Sequence, residues 1–171
     1  MPTTFARFAS PVGELVLTAS DTGLTGIYFP TSRHGPPPVE RADWAEDDGR
    51  RPASAILARA RRQLEEYFAG TRTTFDVPLA PTGTPFEQRV WEALRAIPYG
   101  TTTSYGVLAR QLGDPRATRA VGAANGRNPI PIIVPCHRVV GARGELTGFG
   151  GGIDRKRWLL EHEGALMRLG G

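Results

Sequence analysis

The chain has 171 residues, 40% of them apolar and 22% charged, a composition that suits a folded globular protein with one or two small cores. No apolar run approaches the roughly 18 residues a membrane span needs, and the start MPTTFARFAS lacks the charged-then-apolar order of a signal peptide, so a cytoplasmic location is expected. Net charge is +4, and a single cysteine, Cys136, with three scattered histidines excludes an internal disulfide and a cysteine-rich zinc site.

Residues 1–30 alternate β-favouring stretches with turn signals: TTFARFA, SPVGE, LVLTAS, DTG and LTGIYF. That alternation predicts an antiparallel meander. Residues 30–53 hold five prolines and no sustained periodicity, which predicts a long exposed loop with at most a short strand or turn. From Ala53 to Ala69, Ile56, Leu57, Ala60, Leu64, Tyr67 and Phe68 recur at helical spacing, and Gly70 stands where a C-terminal cap belongs. The cluster Arg59, Arg61 and Arg62 falls on the solvated face of that helix. TRTTFDVPLAPTGT predicts one more strand and then a Pro/Gly-rich boundary, which divides the chain into domains 1–80 and 84–171.

The second domain opens with Thr84, Pro85 and Glu87 in the order of an N-cap, an N1 proline and a capping box, predicting a helix through Ala96 with Phe86, Val90, Trp91 and Leu94 inward. Ser104 opens a second helix, closed by Gly113, and Pro115 opens a third that runs to Asn125. Two short helices around a tight glycine-containing turn form a helix-turn-helix pattern. The third helix holds Ala117, Ala120, Val121, Gly122, Ala123 and Ala124, with Arg119 as the long residue in its middle. So bare a helix allows close approach of another backbone, either a neighbouring helix or a nucleic-acid groove, and the arginine favours the latter.

Charge follows the same division. Residues 1–83 carry nine basic and ten acidic side chains, whereas 84–171 carry twelve and seven. Within 105–143, Arg110, Arg116, Arg119, Arg127, Arg138 and Arg143 have only Asp114 as an acidic neighbour. A concentrated basic stretch of this kind is the electrostatic footprint of a polyanion binder.

After Asn128 and Pro129 comes IPIIV, a short apolar run read as a buried strand-like segment, and then PCHRV. Cys136 beside His137 is either a packing residue or a nucleophile with its base nearby, and adjacency alone does not decide between them. The glycine-rich LTGFGGG at 146–152 has no lysine and serine following in P-loop order, which argues against a nucleotide cradle.

PYGTTTSYGVLA, ATRAVGAANGRNP and IPIIVPCHRVVGARGELTGFGGGIDRKRWLLEHEG together resemble the O6-alkylguanine-DNA alkyltransferase family, strongly over 84–164. The N-terminal 80 residues match it in outline, through SPVGELVLTA and LEEYFAG. The resemblance implies an α+β protein: an N-terminal ribonuclease H-like antiparallel sheet with a helix, lacking catalytic carboxylates and serving as support or partner contact, and a mostly helical C-terminal winged helix-turn-helix domain. It implies DNA repair by single-turnover transfer of an alkyl group from O6-alkylguanine in duplex DNA to Cys136, with no cofactor and no metal. It leaves open O4-alkylthymine, alkyl-size preference and cooperative assembly of a solution monomer on DNA.

Site roles follow from the same resemblance. Free cysteine is only about 3% thiolate at pH 7, and the implied activation is a relay in which Glu163 orients His137 and His137, through a water, takes the thiol proton. Spacing equally nominates Glu161; the match to HEG selects Glu163. Asn128 ties backbone turns together. Tyr105 supplies the proton to the departing guanine and lies by the rotated phosphate. The third helix enters the minor groove, with Arg119 as a finger filling the place of the flipped nucleotide and with Ala120, Ala124, Asn125, Gly126 and Arg127 at the DNA. Pro131, Val139, Phe149 and Gly150 line the base pocket. Where many members carry tyrosine this chain has Phe149, so a hydroxyl contact from that position is absent. The competing readings are a lesion-binding module without chemistry, which Cys136 opposes, a methylation-sensing regulator, and a thiol hydrolase, which a thioether's poor leaving ability opposes.

Overall fold

The structure, a computed structural model, describes residues 3–30 and 44–167. It forms two compact units, Met1–Thr82 and Gly83–Gly171.

In the first unit β1 (Thr3–Ser10), β2 (Gly13–Ala19) and β3 (Leu24–Tyr28) form the expected meander, with Phe8 opposite Leu15 and Leu17 opposite Ile27. The β1–β2 turn closes on Ser10, whose hydroxyl donates to the Gly13 carbonyl at 2.6 Å, while Gly13 takes a φ of 110°. A short β4 (Trp44–Glu46) adds to the free edge of β1 in parallel, so the order is β3-β2-β1-β4 and the sheet has one parallel pair. Trp44 lies against Phe5 and Tyr28, with ring centroids 6.2 and 5.8 Å away. Most of the predicted 30–53 loop, residues 31–43, lies outside the described residues.

The helix α1 (Pro52–Phe68) covers the sheet with Leu57, Ala60, Leu64 and Tyr67, all essentially inaccessible. Ile56 and Phe68, expected inward, are only half-buried. It ends before Gly70, at φ 82°. The strand expected in TRTTFDVPLAPTGT does not form. Only Leu24 and Leu79 bridge there, through Leu24 N to Pro78 O and Ala80 N to Leu24 O, both 2.8 Å. Pro78 and Pro81 have no N–H to extend a ladder, and Asp76 is tied to α1 instead, its N–H donating to Gln63 at 3.0 Å.

In the second unit, α2 (Pro85–Arg95) carries the capping box anticipated: Thr84 N–H donates to Glu87 Oε1 at 2.9 Å and Glu87 N–H to Thr84 Oγ1 at 3.1 Å. Then follow β5 (Thr103–Ser104), α3 (Tyr105–Gln111), α4 (Thr118–Gly126), β6 (Val139–Val140) and α5 (Ile153–His162), with β5 and β6 paired in parallel. Ser104 caps α3 by accepting from Val107 N–H at 3.2 Å, and Gly113 turns the chain at φ 87°. Pro115 opens only a single turn of 3-10 helix, and α4 proper begins at Thr118. The core contains Val90, Leu94, Leu108, Val121, Leu159 and Leu160.

IPIIV is not a strand but a series of tight turns, buried throughout. Prolines at 129, 131 and 135 remove ladder donors. Asn128 closes the loop from both sides, donating to Val134 O at 2.8 Å and accepting from Ile130 N–H at 3.0 Å. Val134 N–H returns to Ile130 O at 2.9 Å, and Ile132 takes a φ of 74°, a costly conformation for a β-branched residue.

Candidate active site and nucleic-acid interface

Those turns deliver Cys136 to the start of a 3-10 turn, Cys136–Arg138, between the Asn128 loop and β6. Its side chain is buried, the residue being 5% exposed. Burial pushes the thiol up, while a hydrogen bond from Asn128 and the positive charge of Lys156 pull the other way. Asn128 therefore shapes the turn and also favours the thiolate.

His137 follows, fully buried, with Nε2 2.7 Å from Glu163 Oε2. Burial holds the imidazole below its ordinary range despite that carboxylate. Burial also works against charge on Glu163, but hydrogen bonds from His137 and Arg138 outweigh it and bring the carboxyl down to about 2. An ionised carboxylate only accepts, so a neutral His137 carries its proton on Nε2 and leaves Nδ1 as the basic atom. Nδ1 is buried and has no hydrogen-bond partner among the described residues, the Cys136 thiol included.

Arg138 completes this cluster. Its Nε lies 2.8 Å from Glu163 Oε1 and its Nη2 3.0 Å from Oε2, while Nη1 donates to Ile97 O at 2.6 Å and the guanidinium sits 5.6 Å from the Tyr99 ring centroid. Arg138, counted in the sequence with the basic stretch 105–143, is an internal cation whose charge Glu163 offsets. Lys156 was not singled out at all. Its Nζ donates to Val139 O and Thr147 O, both at 2.6 Å, and burial lowers it to about 8, against the pull of Cys136. Helical spacing carried the signal: Lys156, Leu159, Leu160 and Glu163 fall at i, i+3, i+4 and i+7, and all four are buried.

Tyr105, at the first turn of α3, reaches the 146–152 loop. Its hydroxyl donates to Thr147 O at 3.3 Å and accepts from Thr147 Oγ1 at 3.4 Å. Burial, reinforced by the nearby Cys136, pushes the phenol up, so it keeps its proton. Gly122 of α4 passes the ring so closely that an added Cβ would touch it at 3.8 Å. Pro131 and Val139 are buried beside Cys136 in the chain, Phe149 is 6% exposed, and Gly150 is half-buried.

On α4, Arg119 and Ala120 are exposed, as is Arg127 at its end, and Gly126 is half-buried. Ala124 and Asn125 do not belong with them. They are 1% and 2% exposed on the inner face, where Trp91 Nε1 donates to Ala124 O at 2.8 Å and Asn125 Nδ2 approaches Cys136 O at 3.5 Å. A groove ligand cannot reach them; their part is to seat α4 against α2 and the Cys136 turn. Among the described residues no group of three or more His, Cys, Asp or Glu is arranged to hold a metal.

Comparison with known proteins finds two matching families: the 6-O-methylguanine DNA methyltransferase ribonuclease-like domain over residues 4–81 and the 6-O-methylguanine DNA methyltransferase DNA-binding domain over 85–165. A methylated-DNA–protein-cysteine methyltransferase of Methanosarcina acetivorans is 48% identical over 162 residues, covering 94% of this chain and 98% of that one. A protein of the same name from Mycobacterium bovis is 53% identical over 154 residues, covering 90% and 88%. The crystal structure of Mycobacterium tuberculosis OGT in complex with DNA superposes with a TM-score of 0.83 at 49% identity, covering 95% of this chain and 93% of that one.

Proposed function

We propose, because this chain belongs to the 6-O-methylguanine DNA methyltransferase family, that Cys136 is the residue on which its repair reaction ends. The protein is a methylated-DNA–protein-cysteine methyltransferase that repairs alkylated DNA by alkyl transfer. The roles of individual residues are our reading, and the observation that carries it is the buried Glu163–His137 pair next to Cys136, with Nδ1 as the free base.

In that reading the thiol proton passes through a water to His137 Nδ1, and Glu163 with Arg138 holds the resulting imidazolium in place. The Cys136 sulfur attacks the alkyl carbon on O6 of guanine. A C–S bond forms as the C–O bond breaks, and the bond's electron pair leaves with guanine. Tyr105, which keeps its proton, donates it to the departing base. Asn128 and Lys156 stabilise the thiolate before attack. A thioether has no ready leaving group for water to exploit, so the protein acts once.

DNA is bound through the α4 face, with Arg119 as the finger that fills the gap left by a flipped alkylguanine, and with the minor groove as the route in. The small side chains of α4 support this reading, since they let a backbone approach. The reading also carries a cytoplasmic monomer, and no described helix is long and apolar enough to cross a membrane.

Intact-protein mass spectrometry after incubation with O6-methylguanine duplex tests the assignment. One methyl per chain, on the peptide containing Cys136, is expected, and none in Cys136→Ala. Repeated turnover, or transfer surviving in Cys136→Ala, would overturn it.

A further inference from the structure

Of the exposed arginines Arg116, Arg119 and Arg127, only Arg127 is drawn to a carboxylate among the described residues: its Nη1 lies 3.6 Å from Glu87 Oε2. The partners are unequal. The Glu87 side chain is 13% exposed and that of Arg127 67%. Glu87 is fixed, because its other oxygen, Oε1, accepts from Thr84 N–H at 2.9 Å in the α2 capping box. Beyond that ion pair, Arg127 is held among the described residues by its backbone N–H, which bonds Ala123 O and Ala124 O at the end of α4, and its side chain is two-thirds exposed.

The cap does not require a charge. A glutamine at this position would accept from Thr84 equally well, and Oε2 faces Arg127 without serving the cap. Thr84 also keeps the Glu87 carboxyl below its usual range, so it stays ionised at neutral pH. A rigid anion thus sits where α4 ends, the helix whose exposed residues include Arg119 and Ala120.

We propose that Glu87 is an internal competitor for DNA phosphate: it holds Arg127 in the free protein and yields it to the duplex backbone on binding. The inference rests on the DNA-binding reading above. Exchange replaces one charge-assisted contact by another, since phosphate and carboxylate both suit the guanidinium fork. It leaves the Glu87 carboxylate unpaired close to a polyanion. Affinity for undamaged DNA is thereby set below what the arginines alone would give, and a protein searching for rare lesions gains faster release from ordinary sequence.

The test is a double-mutant cycle on binding of undamaged duplex, read by fluorescence anisotropy at low and at high salt, with helix content checked by circular dichroism. Glu87→Gln, which preserves the cap, should bind about three-fold tighter at low salt, the size expected for release of a partly exposed ion pair. The gain should shrink as salt rises. In an Arg127→Gln background the same substitution should yield markedly less. An equal gain in both backgrounds would mean that Glu87 acts by long-range repulsion and not through Arg127, and would overturn the proposal, as would no gain in the wild-type background. Failure of the unaltered chain to bind duplex at all would bring down the DNA reading and this inference together.

Discussion

At Lys156 the carbonyls of Val139 and Thr147 each accept a hydrogen bond at 2.6 Å, and burial still lowers the ammonium to about 8. The charge that favours a Cys136 thiolate is therefore itself titratable near neutrality. Raising pH increases thiolate but removes this support above about 8. We predict that the rate of Cys136 alkylation by a small electrophile rises with pH and then bends near 8. In Lys156→Met the rate at pH 7 should fall several-fold and the bend should vanish; a bend that persists in the variant would assign it to another group. Helical spacing places Lys156 on the inner face, but the titration is not legible in the sequence, where Lys156 is one cation in the run DRKR. Arg138 was misplaced for the same reason, because a cation's letter does not tell whether a carboxylate waits for it inside.

The elements were most legible where the chemistry is local. Thr84 with Glu87, Ser104 with Val107, and the positive-φ glycines 70 and 113 act within a few residues of themselves, and each stands as expected. The turn at 129–135 was not legible as a turn, because its apolar letters satisfy a strand pattern and its closure depends on one polar side chain outside the run. Likewise α4 has too few large apolar residues to mark an inner face, so Ala124 and Asn125 were placed with the outward residues. Cys136, His137 and Glu163 were assembled only through the longer motif they share with a family, since residues 26 apart meet by tertiary folding.

The closure by Asn128 makes a prediction for the whole turn. Asn128→Ala leaves Ile130 N–H without its acceptor and removes one of the two donors to Val134 O, which keeps Cys136 N–H at 2.8 Å, at a cost of about 1–3 kcal/mol. A denaturant melt should register that loss, and thiol reactivity should fall with it. Asn128→Asp keeps the acceptor for Ile130 but loses the donor and adds a negative charge beside the sulfur. It should recover more stability than reactivity; equal recovery of both would show that Asn128 serves the turn alone.

Over the whole molecule, residues 84–171 carry twelve basic and seven acidic side chains, a net of +5. Arg138 and Lys156 against Glu163 leave +1 of that inside. The internal charges make stability depend on pH in two separate windows. Glu163 is lowered to about 2 from an ordinary 4.5, so its contribution is full above 4.5 and is lost as pH falls toward 2. Lys156 is lowered to about 8 from 10.5, so between these values the unfolded chain holds more protons than the folded one and the Lys156 contribution rises with pH. Denaturant melts across pH should therefore show acid loss below 4.5 that is blunted in Glu163→Gln, set against a lower starting stability because Arg138 then lies buried without its counter-charge. The same melts in Lys156→Met should lack the component that grows from 8 to 10.5. Identical pH slopes in all three proteins would mean that the buried cluster titrates alike in the folded and unfolded chain, and the electrostatic account of the site would fall with it.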